Sequence, residues 1–504
     1  MLRESHVLLL SIFIAGLCSI VYELLIATTG AYFLGDSITQ FSLTIGIYMA
    51  FMGLGSYVSR WVRDARMLEC FIGFELLLAL LGGCSVPLLY FAYAQGWPLQ
   101  LVSGTLTAVI GTLIGLEIPL LSRLMERHYS LKANIANVLS IDYLGALIAT
   151  LVFPFLLLPW LGIFKTSLAF GLVNLSIALT LLWYFYRQMA VSHRLKLRTA
   201  LVLVFISLAG LMAAGKQLNQ KWNEALYEDR IVHTEQSRYQ QLVLTRHKQD
   251  IRLYLNGGLQ FSAIDEYRYH ESLVHPAMAR LKQASKVLIL GGGDGLAVRE
   301  LLKYPQLEMI ALVDLDPAVA RLARENPHLK DLNKNSLSHE KVRVIHDDGF
   351  VFLSQSKDLY DLILVDLPDP KTVSLARLYS KQFYLTARKH LTPGGIMVTQ
   401  ATSPFFARQA FWSIHNTVAA AGFEHVLPYH VNIPSFGEWG FVMACHRQCQ
   451  TSLQSTADTR FYSPAIEPAM ASFPQDMTDQ GSQVSTLDKP NVLYYYLKGW
   501  KYWN

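Results

Sequence analysis

The chain has 504 residues, of which 52% are hydrophobic and 16% charged, and its formal net charge is +5. This length allows two or three domains, and this composition is too apolar for an ordinary soluble enzyme. A mild basic excess in such a chain is typical of cytoplasmic loops of membrane proteins, so it does not indicate nucleic-acid binding.

Apolar stretches fill the first part of the chain, which we assign as a transmembrane helical domain over residues 1–215 with about seven spans. A bilayer core of ~30 Å takes ~20 apolar residues per helix. The stretches are 7–34, 38–59, 69–93, 98–122, 135–160, 163–186 and 199–215. The first is too long for a cleaved signal peptide, and the seventh is the shortest. We therefore expect a multi-pass protein of the cell (inner) membrane, with the lipid bilayer as a partner.

Basic residues cluster in alternate loops, which predicts the orientation of the spans. They follow the second, fourth and sixth stretches: Arg60, Arg63 and Arg66; Arg123, Arg127 and Lys132; Arg187, Arg194, Lys196 and Arg198. By the positive-inside rule the N-terminus is cytoplasmic. If all seven stretches cross, the residues after 215 lie outside the cytoplasm. If the seventh does not cross, they lie inside. The sequence pattern favours the first alternative, and both stay open.

Polar and small residues inside the apolar stretches have two interpretations each. Four acids lie there: Glu23, Glu75, Glu117 and Asp142. Acids at this depth are costly and often functional, so they could form a path or site for a cation. We favour the other interpretation, protonated side chains hydrogen-bonded between helices. We expect a set of small residues in the second stretch to serve close helix packing: Gly46, Ala50 and Gly53.

The cysteines do not form a pattern that indicates a bond or a metal. Three lie in or beside apolar stretches: Cys18, Cys70 and Cys84. Cys445 and Cys449 have no partner pair at zinc spacing. We therefore expect neither a disulfide framework nor a zinc site.

After residue 215 the periodicity is that of a soluble protein. QLVLTR, IRLYLN and LQFSA predict strands of a small β subdomain at 225–280. Compact apolar runs then alternate with helical segments over 281–450: 286–290, 309–316, 341–348, 359–367 and 395–400. This alternation predicts a doubly wound α/β domain with a parallel sheet and right-handed crossovers. A polar C-terminal extension at 451–504 ends in an aromatic run, which suggests docking onto the domain or the membrane interface.

Glycines and acids follow the predicted strands at the edge where such sheets bind ligands. Gly291 and Gly293 belong to a GxGxG loop after the first strand, and glycines let the backbone approach a ligand closely. Asp314 ends the second strand, where a carboxylate accepts hydrogen bonds from ribose hydroxyls. For Asp316 we prefer a helix cap. Asp348 closes the third strand, where an acid can receive an adenine amino group.

The fourth strand ends in two carboxylates three residues apart, Asp366 and Asp369. Such a pair suits a cationic ligand and a proton-accepting base, although Asp and Pro also favour turns. With acids at the neighbouring strand ends, we favour a binding site for a positively charged substrate. His270 and His275 are five residues apart, and we interpret His270 as a hydrogen-bonding pocket residue and not as a metal ligand.

With these residues in place, the chain resembles the spermidine synthases, a family of aminopropyltransferases, from about Ser237 to Ala444. The resemblance rests on a set of motifs: Tyr239-Gln240, Asp265–Glu271, Gly291–Gly295, Asp314, Asp348-Gly349, Asp366-x-x-Asp369-Pro370 and Ile433–Phe436. Together with the apolar stretches, it looks like the membrane-fused branch of that family.

The resemblance implies a class I methyltransferase-like Rossmann domain and a transferase of polyamine biosynthesis. The reaction would move the aminopropyl group of decarboxylated S-adenosylmethionine, a co-substrate, to putrescine or a related diamine, giving spermidine and methylthioadenosine. No prosthetic group, metal or nucleic acid is implied, and a homo-oligomer is expected. The roles implied are nucleoside binding by Gln240, Asp314, Asp348, Gly349, Gly291 and Gly293, amine binding by Tyr269, His270, Asp294 and Asp369, and proton transfer by Asp366.

Physical reasoning agrees with these roles. An amine attacks only when neutral, so Asp366 can accept its proton as the nucleophile approaches. Asp294 would attract the donor's terminal ammonium and repel the carboxylate of ordinary S-adenosylmethionine. Three departures from the family leave the acceptor's identity open: Leu367-Pro368 between the paired acids, Lys371-Thr372-Val373 in place of a Pro-rich stretch, and Phe436 in place of a Tyr.

Two rival functions remain at this stage. One is an S-adenosylmethionine-dependent methyltransferase, which needs no paired acids in the pocket. The other is a polyamine transporter or sensor, in which the helical part carries the activity and the soluble part only binds. The intramembrane acids motivate the second rival.

Overall fold

A computed structural model of the protein describes residues 4–34, 37–227, 229–281, 283–446, 449 and 457–501. The chain divides into two compact units, Met1–Asp229 and Arg230–Asn504. Each unit is described by itself.

The first unit is helical. Its helices are α1 (Glu4–Leu34), α2 (Ser37–Val58), α3 (Met67–Gly83), α4 (Ser85–Ala94), α5 (Leu99–Met125), α6 (Leu131–Val152), α7 (Leu158–Tyr184) and α8 (Val191–Tyr227). The helical run from α6 into α7 breaks at Gly162, which has φ 69°. A Cβ on Gly16 of α1 would lie 2.6 Å from the backbone oxygen of Asp142 in α6. Tyr22, also of α1, donates to the backbone oxygen of Phe170 in α7. Because α6 and α7 contact the same part of α1, they lie side by side, and the chain reverses its direction at Gly162.

By length and composition, five helices among the described residues could cross a membrane, or six if the bent pair α3–α4 is one span. One of the five is the 54-residue run Leu131–Tyr184. If this run is divided at Gly162 into two spans and α3–α4 is taken as one, the count equals the number of apolar stretches in the sequence. The last candidate span, Val191–Gly215, begins before the 199–215 stretch, because α8 starts at Val191 and includes the basic residues that precede that stretch.

Close helix packing uses other glycines than the sequence predicted. Gly46, Ala50 and Gly53 are exposed, and a Cβ on either of these two glycines would meet nothing within 4 Å, so their expected packing role is wrong. Helix α2 meets α5 at Gly55 and Gly115. A Cβ on either of these would lie 2.1 Å from a backbone oxygen of the facing helix, so a larger residue would force the helices apart.

Two of the four acids are held between helices. The carboxyl groups of Glu75 and Glu117 are hydrogen-bonded to each other, and Asn174 Nδ2 donates to Glu75 Oε2 at 2.9 Å. All three side chains are buried. This is the arrangement that the favoured interpretation predicts for Glu75 and Glu117, whereas Glu23 and Asp142 are half-buried.

The second unit begins with a small antiparallel sheet. Its strands are β1 (Arg230–Gln236), β2 (Gln241–His247), β3 (Asp250–Leu255) and β4 (Gly258–Ser262), in the order β1-β2-β3-β4. The sequence predicted the last three. None of the residues of β1 is buried, so it lacks the apolar run that marks a strand.

A seven-stranded sheet follows. Its strands are β5 (Lys286–Gly291), β6 (Met309–Asp314), β7 (Val342–His346), β8 (Tyr360–Asp366), β9 (Leu391–Gln400), β10 (His425–Ile433) and β11 (Gly437–Cys445), in the order β10-β11-β9-β8-β5-β6-β7. The first five are parallel, but β11 runs antiparallel to both neighbours. The prediction of a parallel sheet is therefore wrong at this edge. The order is that of a methyltransferase-like Rossmann fold.

Helices cover both faces of this sheet. They are α9 (Glu266–Met278), α10 (Leu296–Leu301), α11 (Pro317–Glu325), α12 (Pro327–Leu332), α13 (Gly349–Gln355), α14 (Val373–Ala376), α15 (Lys381–Lys389), α16 (Arg408–Ala420), α17 (Glu467–Met470) and α18 (Asn491–Trp500). Alternate residues of β5 point to opposite faces, so Val287 and Ile289 join one core while Leu288 and Leu290 join the other. Burial on both faces explains why this strand is a continuous apolar run.

The described part of the C-terminal extension packs onto the rest of the second unit. Glu271 of α9 accepts hydrogen bonds from the backbone of 460–462, and Trp412 donates to the backbone oxygen of Met477. A disulfide joins Cys445 to Cys449, whose Cα atoms lie 5.4 Å apart, so the expectation that the cysteines form no bond is wrong for this pair.

Candidate active site

Acids from neighbouring strands meet at the carboxyl edge of the large sheet. Asp314 is the last residue of β6 and Asp366 the last of β8, while β5 between them ends at Gly291. In the parallel register Gly291 is paired with Asp366. The two acids therefore flank the glycine loop that follows β5, as expected for the ligand edge of such a sheet.

Glycines are required in this loop because both acids approach its backbone. Gly291 has φ 86°, and a Cβ there would lie 2.0 Å from the backbone oxygen of Asp366. A Cβ on Gly293 would lie 2.6 Å from Asp314 Oδ2. Instead, the Gly293 N–H donates to that oxygen at 3.1 Å. The loop thus holds the carboxylate at the end of β6.

Asp314 is tied to the backbone on both sides. Its other oxygen accepts from the Asp316 N–H at 2.9 Å. Burial raises the pKa of Asp314 to about 6 although these backbone hydrogen bonds lower it. The sequence places this acid against a ribose, and that role stays a prediction.

Asp316 caps α11, as the sequence predicted, by accepting from the Ala318 N–H. Its other oxygen accepts from Ser237 Oγ at 2.6 Å and from Gln240 Nε2 at 3.1 Å. Gln240 is thereby held beside the end of β6. This anchoring role of Asp316 was missed, because a helix cap already explained the residue.

Asp348 lies after β7 and serves as a helix cap. One of its oxygens accepts from the Phe350 and Val351 N–H groups at the start of α13, whose first residue is Gly349. The other oxygen forms an ion pair with Arg377. The predicted contact of Asp348 and Gly349 with adenine is not tested by this arrangement.

Helix α9 supplies two residues to the other side of the site. Tyr269 donates its hydroxyl to Asp366 Oδ1 at 2.6 Å. The pKa of Asp366 is raised by burial, and the positive charge of His270 and the hydrogen bond from Tyr269 partly offset this. Asp366 is therefore a carboxylate that is shielded from water and accepts a hydrogen bond from the Tyr269 hydroxyl.

His270 is a cation held by an ion-pair network. Its Nδ1 lies 2.9 Å from Glu266 Oε2, and Arg299 also bridges Glu266. Burial lowers the pKa of His270, but Glu266, Asp294 and Asp366 outweigh that effect and raise it to about 9. At neutral pH His270 is therefore an imidazolium, and its positive charge lowers the pKa of Asp294 and of Asp366. Its predicted contact with the amine stays a prediction.

Asp294 lies in the glycine loop, where the charges of His270, Asp366 and Glu266 act on its carboxyl group. Burial raises its pKa to about 6, the charge of His270 lowers it, and the charge of Asp366 raises it. One of its oxygens accepts from the Leu296 N–H at 2.8 Å, at the start of α10. The carboxyl is thus fixed at the same edge as Asp366.

Asp369 has four neighbours that the sequence did not indicate: Gln400, Tyr496, Thr402 and Lys371. Gln400 Nε2 donates to Oδ1 at 3.3 Å, and the Tyr496 hydroxyl donates to Oδ2 at 3.0 Å. Burial raises the pKa of Asp369 to about 6, and these two hydrogen bonds and the charge of Lys371 lower it. Desolvation in turn lowers the pKa of Lys371, which the charge of Asp369 partly restores.

The arrangement combines a strongly acidic edge with a shielded base. Asp294, Asp366 and Asp369 can attract cationic groups, and Asp366 can accept a proton from one of them. Within the described ranges, no three His, Cys, Asp or Glu side chains form a group that could hold a metal ion.

Comparisons with known proteins place this geometry in context. The family model of the spermine/spermidine synthase domain matches residues 266–455. A polyamine aminopropyltransferase of Leptospira interrogans is 40% identical over 98% of both chains. Polyamine aminopropyltransferase 2 of Ralstonia nicotianae is 41% identical over 99% of both chains. The crystal structure of spermidine synthase from Thermotoga maritima is 22% identical, with a TM-score of 0.45, and the match covers 49% of this chain and 85% of that one.

Proposed function

This chain belongs to the polyamine aminopropyltransferase family, and we propose that it transfers the aminopropyl group of decarboxylated S-adenosylmethionine to putrescine. It is a transferase of polyamine biosynthesis, and the products are spermidine and methylthioadenosine. The observation that carries this function is the shielded carboxylate of Asp366, which lies among acids at the carboxyl edge of the sheet and receives the Tyr269 hydroxyl.

The reaction needs a neutral amine next to a cationic donor. Asp366 removes a proton from one ammonium group of the diamine, and the freed nitrogen attacks the carbon bound to the sulfonium sulfur. The new C–N bond forms as the C–S bond breaks, and the bonding electrons stay on sulfur, which becomes a neutral thioether. The attacking nitrogen becomes a secondary ammonium, which carries the positive charge that the sulfonium has lost, and Asp366 releases its proton to solvent.

The acids around Asp366 make this encounter possible. Two cations repel each other, so holding them together requires a negative environment that is already in place. We assign Asp369 to the ammonium group of the acceptor that does not react. We assign Asp294 to the terminal ammonium of the donor, where it also disfavours a donor that carries a carboxylate.

A direct assay tests the function. The purified full chain is incubated with decarboxylated or ordinary S-adenosylmethionine, each with and without putrescine, and the products are identified by mass spectrometry. The proposal predicts spermidine and methylthioadenosine only with the decarboxylated donor and putrescine together. Methylated products from the ordinary donor would indicate a methyltransferase, and binding without any product would indicate a sensor or transporter.

We propose further that the helical unit spans the cell membrane as a multi-pass domain. The length and apolar character of its helices support this. The side on which the synthase unit lies is a separate proposal, and we place it in the cytoplasm. The reason for this side is that the cationic donor does not cross a bilayer unaided. The opposing argument is that seven crossings with basic alternate loops would place the unit outside.

A pair of reporters fused after Asn504 decides between the two sides. One reporter is active only in the cytoplasm and the other only outside. Activity of the cytoplasmic reporter alone supports the proposal, and activity of the external reporter alone contradicts it. Fusions after Arg187, in the loop between α7 and α8, tell whether α8 crosses. The homo-oligomer expected from the resemblance stays a prediction, which light scattering of the purified protein in detergent tests.

A further inference from the structure

The last helix of the chain, α18, lies outside the 266–455 region that matches the family domain, yet it packs onto the core of the synthase unit. Val492 and Leu493 are buried in the core that covers one face of the sheet. A Cβ on Gly499 would lie 2.8 Å from the backbone oxygen of Phe406. This close approach fixes the position of α18 along the surface it covers.

Helix α18 brings one polar group to the acidic edge. The Tyr496 hydroxyl donates to Asp369 Oδ2 at 3.0 Å, and Gln400 donates to the other oxygen of the same carboxylate. A carboxylate has about four acceptor positions. Gln400, Tyr496 and Thr402 together occupy at most three of these positions. They therefore fix the orientation of the group and leave at least one acceptor position for a ligand.

We propose that Tyr496 is a positioning residue of the amine-acceptor site, which it serves by orienting Asp369 toward the acceptor's ammonium group. This inference rests on the proposed function. It assigns the C-terminal extension a part in substrate recognition in addition to its packing role.

The electrostatics around Asp369 support this assignment. The charged or titratable groups that act on it are the Lys371 ammonium and the hydroxyls of Tyr269, Tyr379 and Tyr496. A hydroxyl that donates to a shielded carboxylate stabilises its charged form. Removing that donor leaves Asp369 less charged near neutral pH and free to turn, and both changes weaken its hold on an ammonium group.

Tyr496→Phe tests the proposal, with Tyr494→Phe as the matched control because Tyr494 lies on the same helix and is 58% exposed. Loss of a hydrogen bond to a charged group typically changes affinity about ten-fold or more. We expect Tyr496→Phe to raise the KM for putrescine about ten-fold, with the KM for the donor within two-fold of the parent. The rise should be larger at pH 6 than at pH 8. Tyr494→Phe should leave both constants unchanged.

Two further measurements separate positioning from mere packing. In an Asp369→Asn background, Tyr496→Phe should have no additional effect on the KM for putrescine, because Tyr496 acts through Asp369. An equal rise of both KM values, or a full effect in the Asp369→Asn background, would overturn the proposal.

Calorimetric titration of putrescine in the presence of methylthioadenosine separates this inference from the proposed function. If the parent binds putrescine but does not turn it over, the transferase function fails, and the affinity ratio of parent to Tyr496→Phe still decides the role of Tyr496. An unchanged ratio overturns that role. If the parent does not bind putrescine, both the function and the inference are wrong.

Discussion

The Tyr269 hydroxyl lies 2.6 Å from Asp366 Oδ1, so a residue of α9 orients the carboxylate at the end of β8. This carboxylate must point one oxygen at the proton it removes, and a fixed hydroxyl on the other limits its rotation. The hydrogen bond also lowers the pKa of Asp366, against the larger effect of burial.

Tyr269→Phe should therefore impair the proton transfer and leave donor binding intact. We expect kcat to fall about ten-fold, the size of effect that loss of a hydrogen bond to a charged group gives. The pKa on the acid side of the kcat profile should rise, because the carboxylate loses a donor. Tyr267→Phe, on the same helix, is the control. An unchanged kcat profile in Tyr269→Phe would show that the hydroxyl does not act on the base.

The acid side of the pH profile should report the shielded carboxyls. Asp294 and Asp369 have pKa values raised to about 6 by burial. Each is charged above that value and neutral below it, so kcat/KM for both substrates should fall as the pH drops through about 6. Steady-state rates between pH 5 and 8 measure this, and a flat profile over that range would contradict the assigned roles.

Asp294→Asn should reduce discrimination between the two sulfonium nucleosides. The substitution keeps the shape of the side chain but removes the charge that attracts the donor's ammonium and repels a carboxylate. We expect the ratio of the two affinities to fall about ten-fold, or ~1.4 kcal/mol. Calorimetric titration of each nucleoside gives this ratio, and the same ratio as in the parent would refute the role.

Lys371→Met should strengthen acceptor binding. The Lys371 ammonium acts on Asp369 and is itself desolvated, so it competes with the ammonium of the acceptor. Methionine keeps most of the volume without the charge, and we expect the KM for putrescine to fall about five-fold, or ~1 kcal/mol. Lys381→Met, at the start of α15, serves as a charge-matched control. A higher KM in Lys371→Met would mean that the lysine supports binding.

The sequence predicted the parts of the synthase unit that follow simple patterns. Strands β5, β6 and β8 and most of β9 are buried on both faces and therefore read as apolar runs. Strand β7 lies at the sheet edge, and none of its residues is buried. The acids were assigned to strand ends because glycines or turn residues follow each run, and the structure has Asp314 and Asp366 as the last residues of β6 and β8.

Other parts gave no such pattern, for physical reasons. Helix α9 buries polar side chains that are paired, such as His275 with Glu300 and Tyr304, so it lacks an apolar stripe. Strand β10 lies at the sheet edge, is mostly half-buried or exposed and contains Pro428, which is tolerated there. The contact of Tyr496 with Asp369 joins residues 127 positions apart, and no local signal predicts it.

Asp366→Asn tests the central claim most directly, because it removes the base and keeps nearly the same shape. The measurement compares single-turnover formation of methylthioadenosine in parent and variant, with donor affinity determined on the same samples by calorimetry. We expect the rate to fall ~10²–10⁴-fold, the usual effect of losing a general base, with donor affinity within a few-fold of the parent. A rate within a few-fold of the parent, at unchanged donor affinity, would show that another group accepts the proton.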